Sequence, residues 1–265
     1  MYSKFRLGSK YLSYYLTASN NKGHGIHSPF VFEFVSKVLN DRRQYSEYEK
    51  VENLRKRLLK DHTMLTVKDF GAGSAKDKTD KRTIASIAKN AAKPAKFGQL
   101  LYRLVKYYQP QNILELGTSL GITTSYLSLA KPDTNLITME GASAVAASAR
   151  QNFNSLNLQN IFLIEGNFDQ TLSSALLQMT QVDFAFIDGN HRREPTERYF
   201  KQLLPATHNN TILILDDIHW SIEMEHGWEA IMQHPSVRCS IDLFFAGILF
   251  FRQEFKEKQR FSIRF

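Results

Sequence analysis

The sequence predicts an α/β fold: a doubly wound, mostly parallel sheet with one reversed strand, preceded by a mainly helical N-terminal appendage. Three observations predict it. From about Gln111 onward, short apolar runs alternate with helix-like segments, the pattern of a parallel sheet covered by helices on both faces. One run, 113–116, leads into a glycine turn, a helix and a second strand that ends in an acid. The tail holds two more apolar runs, 237–243 and 248–252, joined by a tight link around Gly247, and so short a link favours antiparallel pairing.

Composition sets the limits. The chain has 265 residues, 43% of them hydrophobic, enough for one sizeable domain or for one domain with an added segment. The single cysteine, Cys239, excludes an intrachain disulfide and a multi-cysteine metal site. It fits a reducing, cytoplasmic setting. The first residues, MYSKFRLGSKYLSYYLTASN, lack the continuous apolar core and small-residue cleavage site of a signal peptide. No apolar run is long enough to span a bilayer, so no membrane partner is expected. The net charge of +8 raises the question of a nucleic-acid partner. However, the basic residues before Phe97 are interleaved with Asp41, Glu47, Glu49, Glu52, Asp61, Asp77 and Asp80, which favours solvated helix faces.

In chain order, residues 1–110 read as the appendage. Ser28 and Pro29 open a helix over 30–39, with serine as cap and proline in the first turn. A charged helix follows over 45–59, then a short strand within 63–70, a helical pattern over 83–91 and a helix over 96–108. Residues 111–265 read as the α/β domain. Its strands are 113–116, 135–139, 161–164, 182–187 and 211–215, each a buried apolar run, and the tail follows. The segment 242–251 is the most apolar, but it is short, broken by glycine and rich in strand formers, so it reads as a hairpin.

Two glycine turns compete for one ligand. A nucleoside site needs a strand, a close backbone turn, a helix starting there and a second strand alongside. ILELGTSLG, residues 113–121, has all of these, and the next strand ends at Glu140, at the spacing of an acid that grips ribose hydroxyls. VKDFGAGS, residues 67–74, runs instead into a polar stretch with no apolar stripe; it reads as a mobile turn, or as a lid over the substrate. The turn at Gly117 lacks the third glycine of the dinucleotide fingerprint. A ligand with ribose but no diphosphate suits it better, and that points to S-adenosylmethionine.

The segments ILELGTSLGITTSYLSLA, LITMEG, LIEGNF, VDFAFIDGNHRR and ILILDDIHW occur in that order. Together they resemble the class I S-adenosylmethionine-dependent methyltransferases, and within these they are most similar to the metal-assisted O-methyltransferases. The resemblance runs from about Gln111 to the end of the chain. It implies a Rossmann-like, seven-stranded sheet with one reversed strand. It implies that Glu115, Gly117, Thr118, Ser119 and Gly121 line the methionine part of the cofactor, that Glu140 holds the ribose, and that Gly166, Asn167 and Phe168 flank the adenine. A phenylalanine after a strand is also an ordinary core residue.

The remaining chemistry lies at strand ends. Asp188 follows one strand, and Asp216 and Asp217 follow another. Ligands gather at the carboxyl ends of strands in open sheets, and three converging carboxylates are costly without a cation. All-oxygen ligands suit Mg²⁺ or another divalent cation. His191 stands three residues after Asp188, where the resembling family carries its catalytic base. Catechol-type members have an acid and an amide at the second pair; the double acid here is the form of sugar-directed relatives. Asp188 and Asp217 alone would serve as helix caps. His219 and Trp220 read either as lining of an acceptor pocket or as a turn residue and a core aromatic. His24 and His27 read as turn residues before the helix cap, or as the rim of a pocket. The expected activity is methyl transfer to a hydroxyl of a small molecule, with S-adenosylmethionine and a divalent metal. Two alternatives stand beside it: methylation of an RNA ribose, and cofactor binding without catalysis.

Overall fold

The computed structural model describes residues 1–19, 27–67 and 81–265. Residues 68–74 of the VKDFGAGS turn, and His24, lie outside the described residues.

The elements run in this order: α1 Lys4–Thr17, α2 Pro29–Phe34 continued by a π-helical turn Val35–Leu39, and α3 Ser46–Leu58. The strands β1 Met64–Thr66 and β2 Lys81–Thr83 pair antiparallel as a separate ribbon. Then come α4 Ile84–Asn90, α5 Ala95–Tyr108, β3 Asn112–Leu116, α6 Ile122–Ala130, β4 Asn135–Glu140, α7 Ser143–Ser155, β5 Ile161–Glu165 and α8 Phe168–Leu177. The last elements are β6 Phe184–Ile187, α9 Arg193–Leu203, β7 Ile212–Asp216, α10 Ile222–Gln233, β8 Cys239–Asp242, β9 Ala246–Phe250 and β10 Gln259–Ser262.

The main sheet has the order β10-β8-β9-β7-β6-β3-β4-β5. One strand is reversed, as expected: β9 is antiparallel to both β7 and β8, while β10 is parallel to β8. The strand count is eight where seven were expected. The extra strand is β10, whose residues QRFS are alternately half-buried and exposed. It carries no apolar run, as befits an edge strand. The inner strands β6 and β7 are buried along their whole length, which is why they read as continuous apolar runs.

The chain divides into two compact units, Arg42–Gln178 and Met1–Asp41 with Met179–Phe265. In the first, β3, β4 and β5 are parallel and in register. Helix α5 buries Phe97, Leu100, Leu101, Leu104 and Val105 at the three- and four-residue spacing of an amphipathic helix. Gly98 lets Tyr126 of α6 lie against its backbone, since a Cβ there would stand 2.5 Å from the ring. Tyr126 in turn donates a hydrogen bond to Glu52 of α3 at 2.8 Å, so the three helices lock through one buried tyrosine.

In the second unit α1 packs through Tyr14 and Ala18 on Phe244. The Tyr14 hydroxyl donates to the Ile263 carbonyl. After α1 the chain joins the sheet edge, with the Ser19 amide donating to the Ser262 carbonyl at 2.9 Å. Helix α2 lays Phe30 and Phe34 edge-on against Phe250 of β9. Ser28 does stand at the N-cap with Pro29 in the first turn, but its buried hydroxyl makes no capping bond. Among the described residues, no helix is long and apolar enough to cross a membrane.

Candidate functional site

The first candidate site is built at the carboxyl ends of β3, β4 and β5. Gly117, Ser119 and Gly121 take left-handed backbone, with φ of 108°, 49° and 78°. The amides of Gly117 and Thr118 both donate to the Met139 carbonyl at 3.0 Å, which pins the turn to the end of β4. The Ser119 amide donates to Glu140 Oε2 at 2.8 Å, and the Ala142 amide to Oε1 at 2.9 Å. Two backbone donors thus hold the Glu140 carboxylate in one orientation. Gly166 closes the group by donating its amide to the Glu140 carbonyl at 2.9 Å.

Glycine is required at 121. Besides its positive φ, a Cβ there would collide with the Phe153 ring, and a non-glycine residue adopts that backbone only at a cost. Asn152 braces the turn from α7, its Nδ2 donating to the Leu120 carbonyl at 2.9 Å. Helix α6 starts directly after Gly121 without a side-chain cap, so its first amides and the positive end of its dipole point toward the turn. Asn167 caps α8, accepting from the Asp169 amide at 3.0 Å, and Phe168 follows half-buried.

Glu115 is placed differently from the other residues of this set. It is fully buried, and its Oε2 accepts hydrogen bonds from Thr124 and from Thr138, at 2.5 and 2.7 Å. It therefore ties β3 to α6 and β4. Its Oε1 is buried with no hydrogen-bond partner among the described residues. Thr138 and Thr124 escaped the sequence reading; a threonine in the middle of an otherwise apolar strand was the available signal.

Burial pushes the Glu115 carboxyl up to about 7; the bonds from Thr124 and Thr138 oppose the rise and the Glu140 charge adds to it. The unfolded chain releases this proton near the ordinary value of 4.5, whereas the fold holds it until about 7. Between those values the native state binds more protons, so the Glu115 contribution to stability is full below the lower value and is lost as pH rises through the upper one. Glu115→Gln should remove this loss and gain on the order of 2–3 kcal/mol over the native chain above neutrality relative to pH 4. Urea unfolding at acid and alkaline pH checks it; a pH-independent difference between variant and native chain would contradict it.

The second candidate site lies at the carboxyl ends of β6 and β7. Asp188, His191 and Asp216 bring one ligand atom each to within 4.8 Å of one another. His191 Nε2 is 3.5 Å from Asp188 Oδ1. The backbone supports this: Asn190 and His191 are both left-handed, with φ of 68° and 41°, which folds the chain back so that His191 returns beside Asp188. Held strain of this kind gathers at functional sites. Asn190 donates to the Tyr199 hydroxyl of α9 at 3.1 Å, fixing the turn. Asp217 is not one of the three clustered residues; its amide donates to the Phe245 carbonyl at 2.7 Å and its carbonyl accepts from Trp220 at 2.9 Å. Two carboxylates and an imidazole are a donor set that fits a divalent cation.

His219 has another task. Its Nδ1 bonds Glu225 at 2.9 Å and its Nε2 bonds Asp242 at 2.8 Å, and the ring stacks on Phe244. Burial works against its charge, but the two carboxylates outweigh burial and hold its pKa above the ordinary value. Both ring nitrogens are engaged, so neither is open to an acceptor. His27 is exposed, directly before the Ser28 cap of α2.

Residues 114–218 match the family model of a methyltransferase domain. No curated protein matches the chain in sequence. Among solved structures it is similar to the Podospora anserina methyltransferase PaMTH1 bound to S-adenosylhomocysteine, at 14% identity and TM-score 0.59, over 85% of this chain and 97% of that one. It is also similar to a Bacillus cereus O-methyltransferase in complex with S-adenosylhomocysteine, at 21% identity and TM-score 0.54, covering 83% and 97%. A third is TomG of Streptomyces achromogenes, an O-methyltransferase of tomaymycin synthesis in complex with S-adenosylmethionine, at 16% identity and TM-score 0.55, covering 82% and 94%. Residues 114–218 thus match a methyltransferase-domain model, and the fold of the chain is that of these solved methyltransferases.

Proposed function

We propose that the chain transfers a methyl group from S-adenosylmethionine to a hydroxyl of a small molecule, with help from a divalent cation. The approach of Asp188, His191 and Asp216 within 4.8 Å carries the reading. When bound, S-adenosylmethionine supplies a methyl on a positively charged sulfur, and a cation held by Asp188 and Asp216 supplies charge that favours the ionised form of the hydroxyl.

The chain's own residues do the rest. Gly117 to Gly121 let the backbone approach the cofactor closely, and the open start of α6 suits its carboxylate. Glu140, already oriented by two amides, accepts from the ribose hydroxyls. Gly166, Asn167 and Phe168 flank the adenine. His191 accepts the proton of the acceptor hydroxyl at Nε2, and Asp188, 3.5 Å away, stabilises the imidazolium that results. Asp217 is assigned to shaping the turn after β7.

Calorimetric titration of the full chain with S-adenosylmethionine, and separately with Mn²⁺ and Mg²⁺, tests the reading. One site for the cofactor and one for the cation are expected, with Asp216→Asn weakening the cation alone. A chain that binds no cofactor is not a methyltransferase; one that binds cofactor but no cation works without metal.

A further inference from the structure

Helix α1 carries an apolar face that is open to solvent. Phe5 is 88% exposed, Leu12 58% and Leu16 69%, with Tyr15 at 48%. At 3.6 residues per turn these side chains and Gly8 fall on one arc of about 100°, and around Gly8 there is open space. Patches of this kind mark an interaction surface.

The opposite face fixes the helix in place. The Tyr2 amide donates to the Trp220 carbonyl at 3.0 Å and its hydroxyl to Glu225 at 2.7 Å. Lys10 reaches both oxygens of Glu225, at 2.9 and 3.0 Å. Tyr11 and Tyr14 pack on Phe244. The exposed stripe is therefore not a helix waiting to dock on its own domain; its inward face is already satisfied.

Charge identifies the partner. Lys10 is already paired with Glu225, which leaves Lys4 and Arg6 as the other cations of α1, and the first acidic residue of the chain is Glu33. A second copy pairing symmetrically through this face would set cations against cations with no acid on the helix to answer them, because such an interface must complement itself. A convex ridge of phenylalanine, leucine and tyrosine, flanked by lysine and arginine, has the make-up of a helix that lies in a lipid headgroup layer. Arg264 stacks over Tyr15 at 4.7 Å, adding a further cation beside the aromatic edge. A helix lying on a surface needs no long apolar run, so its sequence carries none of the signal of a membrane span.

We propose that α1 docks this protein on an anionic lipid surface, with Phe5, Leu12 and Leu16 entering the acyl boundary and Lys4 and Arg6 on the headgroups. The test is co-sedimentation of the full chain with phosphatidylcholine vesicles with and without phosphatidylglycerol. Binding should favour the anionic vesicles and fall with salt. The double variant Phe5→Ser, Leu16→Ser changes only exposed positions, and its circular dichroism melt should match that of the native chain. It should bind the anionic vesicles roughly tenfold more weakly or worse, and Lys4→Glu with Arg6→Glu should lose the preference for phosphatidylglycerol. Leu12→Trp should shift its added fluorescence to the blue on anionic vesicles. The proposal is overturned by equal binding to neutral vesicles, by no binding to either, or by undiminished binding of the serine variant. It is also overturned if ultracentrifugation shows a dimer that the serine variant dissolves, or if only an acidic protein binds the stripe.

Discussion

His191→Ala should lower turnover by roughly 10²–10⁴-fold while leaving S-adenosylmethionine affinity nearly unchanged. The effect originates in the backbone. Two successive left-handed residues, Asn190 and His191, bring the imidazole back over Asp188, whose carboxylate lies 3.5 Å from Nε2. Histidine is the side chain most often used as a general base. The same side chain is also placed to ligate a cation with Asp188 and Asp216, so one variant has to separate two roles. A base alone leaves cation affinity intact when it is removed; a ligand does not. Calorimetry with Mn²⁺ on His191→Ala decides between them, and a strong chelator supplies the companion measurement. Activity untouched by both the chelator and the substitution would refute metal assistance and the base together, leaving a transferase that acts by proximity.

The legibility of this chain differs from element to element for physical reasons. β6 and β7 were plain because strands buried on both faces are apolar throughout. β10 was silent because QRFS, on an edge, has no apolar run to show. The place of Glu140 at the end of β4 was legible, because an acid that ends an apolar strand adds nothing to the core and stands where open sheets bind their ligands. Glu115 was not, since its role depends on Thr138, 23 residues away in sequence, and on complete burial. The separation of Asp216 from Asp217 was equally hidden. Adjacent residues at a strand end point to different sides, and Asp217 leaves the strand in left-handed backbone, with φ of 52°. The salt-linked role of His219 needed Asp242 and Glu225 brought to either side of one ring, which no local pattern announces.

Glu140→Ala should weaken S-adenosylmethionine binding by about 1.5–3 kcal/mol, the worth of a hydrogen bond to a charged group. The carboxylate is a candidate for the ribose because it is positioned before any ligand arrives. Its two oxygens are held by the amides of Ser119 and Ala142 at 2.8 and 2.9 Å, and a carboxylate oxygen can accept more than one hydrogen bond. A fixed acceptor loses little entropy on binding, so the contact retains more of its strength. The substitution also strips two backbone donors of their partner, so some stability should be lost with the affinity. Glu140→Gln separates the two effects, because an amide oxygen still accepts from one of those donors while the charge is gone. Intermediate affinity for Glu140→Gln with a near-native melting temperature is the expected pattern. If Glu140→Ala melts lower but binds S-adenosylmethionine as tightly as the native chain, the acid is only a clasp between β4 and the turn, and the ribose lies elsewhere.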